Sequence, residues 1–255
     1  MRSMKLYEFC FSPTGGCRKV SESLSRGWDC EKIMVDLTRM GEDYPIPGKE
    51  DVCIFTAPAY SGRVPQPEAQ RLQKLTGNGA AAVLVAVYGN RAYEDTLIEL
   101  KDLLTEAGFR CTAAVAAIAE HSIMHQFAAG RPDEADKKQL EAFGKQIREA
   151  MEQGRLSEDV QVPGNRPYRA VSPSVLQPAA GENCVRCGLC AQNCPVGAIP
   201  REEPFKTDSQ KCFGCMRCVS LCPQHARGLK KEMLSALIGR LEKACGGHKE
   251  NELFL

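Results

Sequence analysis

The chain has little charge imbalance, few aromatic residues and no long apolar stretch, and each shortage removes a class of function. Lysine plus arginine (33) nearly balance aspartate plus glutamate (32), leaving a formal net charge of +1. No basic run exceeds a pair such as Lys230 and Lys231, and none is interleaved with aromatics. Nucleic-acid binding, which needs such a surface, is not expected. The longest apolar run, residues 80–88, is far short of the roughly 20 residues that span a bilayer. The first residues, MRSMKLYEFC, lack the apolar core of a signal peptide. The expectation is therefore no membrane insertion and a cytoplasmic location. The single tryptophan, Trp28, falls between the first expected helix and the second strand, where packing is its expected role.

What the chain has in plenty is cysteine, 14 residues in 255. Eight of them form the run CVRCGLCAQNCP at residues 184–195 and its repeat CFGCMRCVSLCP at residues 212–223. CxxCxxCxxxCP written twice is the bacterial ferredoxin pattern for two 4Fe-4S clusters, in which the fourth cysteine of each run serves the other cluster. The first cluster is expected on Cys184, Cys187, Cys190 and Cys222, the second on Cys212, Cys215, Cys218 and Cys194. Pro195 and Pro223 fix the turn after each crossing cysteine. Gly188 and Gly214 stand where the backbone has to bend around a cluster. Zinc also takes four thiolates, but it requires neither the third cysteine of each run nor the proline. The other six cysteines are scattered singly, which fits a reducing interior better than a disulfide framework.

Upstream, β-rich apolar segments at 5–9, 32–37, 52–56, 81–88 and 112–119 alternate with amphipathic helical patterns, among them 93–107 and 132–153. That order predicts an α/β fold with a doubly wound parallel sheet. The expected units are residues 1–153, a proline- and glycine-rich linker at 154–181, the cysteine unit at 182–228, and a helix and tail at 229–255. After the first strand comes FSPTGGCRKV, residues 11–20, which places hydroxyls and glycines where a strand turns into a helix. Backbone N–H groups there form an anion trap at a helix N-terminus.

Residues 5–20 resemble the opening of a flavodoxin, with further matches in APAYSGRVP at 57–65 and VYGNRAYED at 87–95. Nearly the whole chain resembles the flavodoxin–ferredoxin fusions of anaerobic bacteria, the EFR1 family. The resemblance implies a five-stranded flavodoxin-like sheet of order 2-1-3-4-5, followed by a small α+β two-cluster ferredoxin domain. It implies FMN, with its phosphate on Ser12, Thr14, Gly15, Gly16 and Cys17. Its ring would lie among Ala59, Tyr60, Ser61, Gly62, Tyr88, Gly89, Asn90 and Tyr93. The EHS stretch at 120–122 and AAGRPD at 128–133 also match these fusions, without an assigned role. The usual flavodoxin loop reads TGNT, whereas this chain has Thr14, Gly15, Gly16 and Cys17, so the phosphate would lean on backbone N–H groups. Cys17 reads as a small tolerated residue or as a redox thiol activated by the helix N-terminus.

Other residues read as background. His121 and His125 lack an acidic or cysteine partner at metal spacing, and His225 follows the last cluster cysteine. Arg63 and Arg91 sit in the presumed flavin loops, either as cations near the ring or simply solvated. The leading expectation is an electron carrier that exchanges electrons with a partner redox protein. No GxGxxG follows a strand, so a nicotinamide site is not expected. The alternatives are a flavin-dependent reductase of a small molecule and a metal-stabilised interaction module.

Overall fold

The computed structural model describes residues 4–172 and 176–255. Residues 1–3 of the first expected unit and 173–175 of the expected linker lie outside them. In chain order the first unit runs β1 (Lys5–Cys10), α1 (Gly16–Ser25), β2 (Glu31–Asp36), β3 (Val52–Pro58), α2 (Gln66–Leu72), β4 (Ala81–Tyr88), α3 (Thr96–Glu106), β5 (Arg110–Ile118) and α4 (Glu134–Glu152). Every residue of β3 and β4 is buried, as expected of strands covered on both faces. Phe9, Phe55, Leu72, Leu97, Leu100 and Leu104 belong to one core layer, which takes in α2 and α3. Leu6, Ile54, Val20, Leu24, Leu140 and Ile147 belong to the opposite layer, with α1 and α4. Alternate residues of each strand feed opposite layers because strand side chains have a period of two.

The remaining elements are β6 (Ala179–Ala180), α5 (Leu189–Gln192), α6 (Arg217–Ser220), β7 (Arg227–Gly228), α7 (Lys231–Cys245) and β8 (Glu252–Phe254). The large sheet has order β2-β1-β3-β4-β5-β8, with β1 to β5 parallel and β8 antiparallel to β5. The expected 2-1-3-4-5 order is therefore present. The expectation of five strands needs correction to six. A three-residue strand in the tail carries no periodic signal; β8 pairs with β5 at Ala114, Val115 and Ala116, and Asn251 just before it adds side-chain bonds. Asn251 Oδ1 accepts from the Ile118 N–H at 2.9 Å, and its amide donates to Asp136 and Gln139.

The segment expected as a linker is built into both units. Asp95 accepts from the backbone N–H groups of Asn165 and Arg169, and Asp102 accepts from Arg166 and Tyr168. Further on, β6 pairs antiparallel with β7, joining residues 179–180 to the cysteine unit. Among the described residues no helix is long and apolar enough to cross a membrane.

Helices α1 and α4 approach closely at Gly144, where a Cβ would stand 2.0 Å from the Leu24 carbonyl oxygen and 3.6 Å from Trp28 Nε1. Gly144→Ala forces these helices apart, an overpacking cost of about 1–3 kcal/mol set against up to about 1 kcal/mol of gained helix propensity. We expect the urea midpoint followed by Trp28 fluorescence to fall with its slope unchanged. An unchanged or higher midpoint would mean that the helices separate freely.

Candidate functional site

The two cysteine runs fold as one repeated loop. In the first, Arg186 (φ 57°), Gly188 (φ 78°) and Gly197 (φ 62°) are left-handed. The corresponding residues of the second, Gly214 (φ 74°), Met216 (φ 61°) and His225 (φ 48°), are left-handed too. Three of the six are not glycine, so the loops hold a backbone that costs roughly 1–2 kcal/mol at each non-glycine position. The symmetry extends to sulfur: Ala198 N–H donates to Cys194 Sγ at 3.2 Å, and Ala226 N–H to Cys222 Sγ at 3.3 Å.

Cys184, Cys187, Cys190 and Cys222 line one cavity, together with Gly188, Pro204, Pro223 and Arg227. Cys194, Cys212, Cys215 and Cys218 are near enough to influence each other's ionisation. The sulfurs thus gather in two sets of four, each drawing one cysteine from the other run. Among the described residues no three His, Cys, Asp or Glu side chains converge on the point that a single metal ion would need. Burial raises the thiol pKa of Cys212, of Cys215 to about 12 and of Cys218 to about 11. Metal has to displace these protons, since the thiolate is the ligand.

The second run packs on the carboxyl ends of β1 and β3. The Phe213 ring lies 6.3 Å from the rings of both Phe11 and Tyr60. Tyr60 donates its hydroxyl proton to the Cys215 carbonyl at 3.4 Å, and Arg217 donates to the Ser12 carbonyl at 3.2 Å. From α2, Arg71 donates to the carbonyls of Leu37 and Pro195. The β1–α1 loop lies beside this contact. Gly15 has φ 93°, and the Ser12 hydroxyl accepts from the Arg18 N–H at 3.0 Å. The N–H groups of Thr14, Gly15 and Gly16 reach no protein acceptor among the described residues.

The residues named for a flavin ring divide between two environments. Tyr60 faces the cysteine unit, with the Ala59 N–H bonded to the Val87 carbonyl and Ser61 and Gly62 both left-handed. Tyr88 and Tyr93 stack edge to face at 5.3 Å on the other side, with Lys249 Nζ 5.9 Å from the Tyr88 ring. They border a cleft of about 390 Å³ with Arg91, Pro163, Lys249 and Glu252. Asn90 is buried and left-handed, and its amide donates to the carbonyls of Cys245 at 2.6 Å and Gly247 at 2.8 Å. Gly89 touches the loop after β5, where a Cβ would meet His121 Cα at 2.7 Å.

Several background readings change. Arg63 grips Glu99 through two hydrogen bonds and stacks on Tyr168, and Arg91 pairs with Glu94, so a carboxylate holds each guanidinium. Cys17 is 4% exposed in the apolar layer beneath α1, and burial pushes its thiol well up. It stays a neutral thiol, so the redox-thiol reading falls. His121 is not a simple surface residue: its Nδ1 accepts from the N–H groups of Ile123 and Met124, and burial lowers its pKa to about 4. Trp28 packs as expected, at 3% exposure.

Residues 183–226 match the family model described as a 4Fe-4S dicluster domain. The C-terminal part of the chain is a two-cluster ferredoxin domain. Over 47 residues it is 45% identical to pyruvate synthase subunit PorD of Methanocaldococcus jannaschii, covering 18% of this chain and 55% of the relative. Over 42 residues it is 45% identical to the putative electron transport protein YccM of Escherichia coli K12, covering 16% and 12%. The chain thus spans about half of one relative and an eighth of the other. A solved short-chain flavodoxin associated with a non-canonical PDU bacterial microcompartment aligns with 59% of this chain and 99% of its own, at TM-score 0.41 and 15% identity.

Beside the ferredoxin contact lies a carboxyl group that sequence reasoning missed. Glu68 of α2 is 0% exposed, and neither of its carboxyl oxygens has a hydrogen-bond partner. Thr56 Oγ1, across from Cys10 in the β1–β3 register, is also buried without a partner. On the same short helix Arg71 stacks on Phe11, just past β1, and donates to the Pro195 carbonyl, which sets α2 beside that contact. The signal in the sequence was only an acid in the first turn of a short helix, indistinguishable from a solvated one.

Burial raises the Glu68 pKa well above the usual carboxylate range, Arg71 opposing and Glu99 adding to the rise. The folded state then holds more protons than the unfolded one above the unfolded pKa. Its contribution is complete at pH below about 4.3 and is lost as pH rises through the folded value. Glu68→Gln keeps the shape and cannot ionise. We expect its stability from denaturant melts to match the parent near pH 4 and exceed it increasingly as pH rises above about 4.3. A parallel pair of pH profiles would mean that Glu68 is ionised and solvated.

Proposed function

We propose that this chain is an electron carrier in which the two clusters exchange electrons with FMN held by the N-terminal unit and with a separate redox protein. The observation that carries the reading is the contact of Phe213 and Cys215 with Phe11 and Tyr60 at the β1 and β3 ends. In sheets of this strand order the crevice at the β1–β3 switch point is the ligand site. The free N–H groups of Thr14, Gly15 and Gly16, joined by the Ser12 and Thr14 hydroxyls, fit a phosphate. The unpartnered Thr56 hydroxyl suits a polyol chain leading away from it. Cys17 would contribute its backbone alone, since its thiol is turned into the core.

FMN, when bound, can hold one or two electrons, whereas each cluster passes one. The protein's part is to set distance and exclude water. Cys194, Cys212, Cys215 and Cys218 would ligate the inner cluster, against Tyr60. Cys184, Cys187, Cys190 and Cys222 would ligate the outer one. Around the outer cavity Val185, Leu189 and Phe205 are 64%, 36% and 38% exposed, an apolar rim suited to a transient protein partner. The unpaired thiols elsewhere suit a reducing compartment such as the cytoplasm.

The Tyr88–Tyr93 cleft beside Lys249 favours a second reading, a reductase that turns over a small molecule there. Reduced protein that oxidises only when a second redox protein is added supports the carrier, and unaided turnover supports the reductase. Anaerobic purification should yield about eight iron and eight sulfide per chain and, after reconstitution, one extractable FMN. Failure to retain FMN overturns the flavin half. Tyr60→Phe removes the hydrogen bond to Cys215 and should slow flavin–cluster equilibration several-fold in flash reduction, with FMN content unchanged. An unaltered rate would route electrons elsewhere.

A further inference from the structure

The two cysteine runs share their thiol spacing and their left-handed positions, and one position buried in both carries an apolar residue in the first and a charge in the second. Five residues after the crossing thiol stands Ile199 in the first run and Arg227 in the second. Both are 4% exposed. An apolar side chain fits such a place, but a guanidinium there needs compensation, because an isolated buried charge is strongly unfavourable.

Arg227 has no carboxylate partner among the described residues. Its terminal nitrogens donate to the carbonyls of Pro178 (3.4 Å), Pro204 (2.6 Å) and Lys206 (3.1 Å) and to Thr207 Oγ1 (3.0 Å). These bonds orient the group and leave its charge unneutralised. Its Nε is buried with no hydrogen-bond partner. The side chain lines the cavity of Cys184, Cys187, Cys190 and Cys222. Arg227 also opens β7, which packs against α6, the helix that carries Cys218 of the other set. The guanidinium therefore stands at the boundary of both sets of thiols, and four thiolates on each side would supply the negative charge that the rest of the fold withholds.

We propose that Arg227 is the shared counter-cation of the two clusters, favouring the added electron on each and so setting both reduction potentials. One electron adds one negative charge to a cluster. A fixed positive charge at short range in a dry interior stabilises the reduced form more than the oxidised one. Because both clusters face the same cation, reducing one weakens its pull on the other. The inference rests on the clusters alone and holds whether or not FMN binds.

The test is a redox titration of both clusters, followed by electron paramagnetic resonance on the full-length protein, after iron and sulfide analysis. Arg227→Ile gives the second run the residue of the first. Arg227→Gln removes the charge and keeps a hydrogen-bonding end. At fixed potential either should lower the reduced-to-oxidised ratio of both clusters at least tenfold, 59 mV for one electron. Arg227→Lys should stay close to the parent, and Lys211→Met, which removes a charge from a side chain 61% exposed, should shift little. Loss of iron from the neutral variants alone, with Arg227→Lys loaded, would express the same stabilisation. Unchanged potentials in a loaded neutral variant overturn the proposal. An equal shift or loss in Arg227→Lys overturns it too, leaving Arg227 as a fastener of the carbonyls around it.

Discussion

The architecture turns on one contact between two loops, Phe213 to Cys215 against Phe11 and Tyr60. Each partner is bound to stand where it does. The sheet reverses its order between β1 and β3, so their carboxyl ends part and the connections leave in opposite directions. The cysteine loop is shaped by its thiols, with left-handed residues at fixed offsets. Aromatic rings join the two surfaces while Arg71 and Arg217 fasten the edges through main-chain carbonyls. The segments before and after the cysteine runs add restraint, through Asp95 and Asp102 on one side and Asn90 and Asn251 on the other.

Much of this was legible in the residues, for reasons that differ. The cysteine runs were read from spacing, because a cluster accepts few loop geometries. The parallel sheet was read from the all-apolar stretches of β3 and β4, which only helices on both faces can bury. The loop after β1 was legible as a strand-to-helix turn. Its departure at Cys17 looked like a possible functional thiol until burial showed it as packing. Asn90 was read as a ring neighbour from its loop, but its amide is taken by carbonyls of Cys245 and Gly247, more than 150 residues away in sequence. No local pattern encodes such a partner, and the same holds for β8.

Two of the buried ionisable groups were the least legible and are the most consequential. Glu68 and Arg227 occupy ordinary sequence positions, and only tertiary burial separates them from solvated neighbours. The carboxyl lies by the carboxyl ends of β1 and β3, and the guanidinium lines the cavity of Cys184, Cys187, Cys190 and Cys222. A low-dielectric interior keeps the Glu68 carboxyl protonated and amplifies the Arg227 charge, which then fixes much of the local potential. The apolar layers on either side of the sheet keep that environment dry.

The central claim is that clusters and flavin exchange electrons within one chain. Its most direct test is a substoichiometric pulse of reductant to anaerobic, FMN-loaded protein, with cluster and flavin absorbance followed in time. Cluster reduction followed by flavin reduction at a rate independent of protein concentration is the result predicted. A flavin signal whose rate scales with concentration, or one that never develops while the clusters stay reduced, would contradict it.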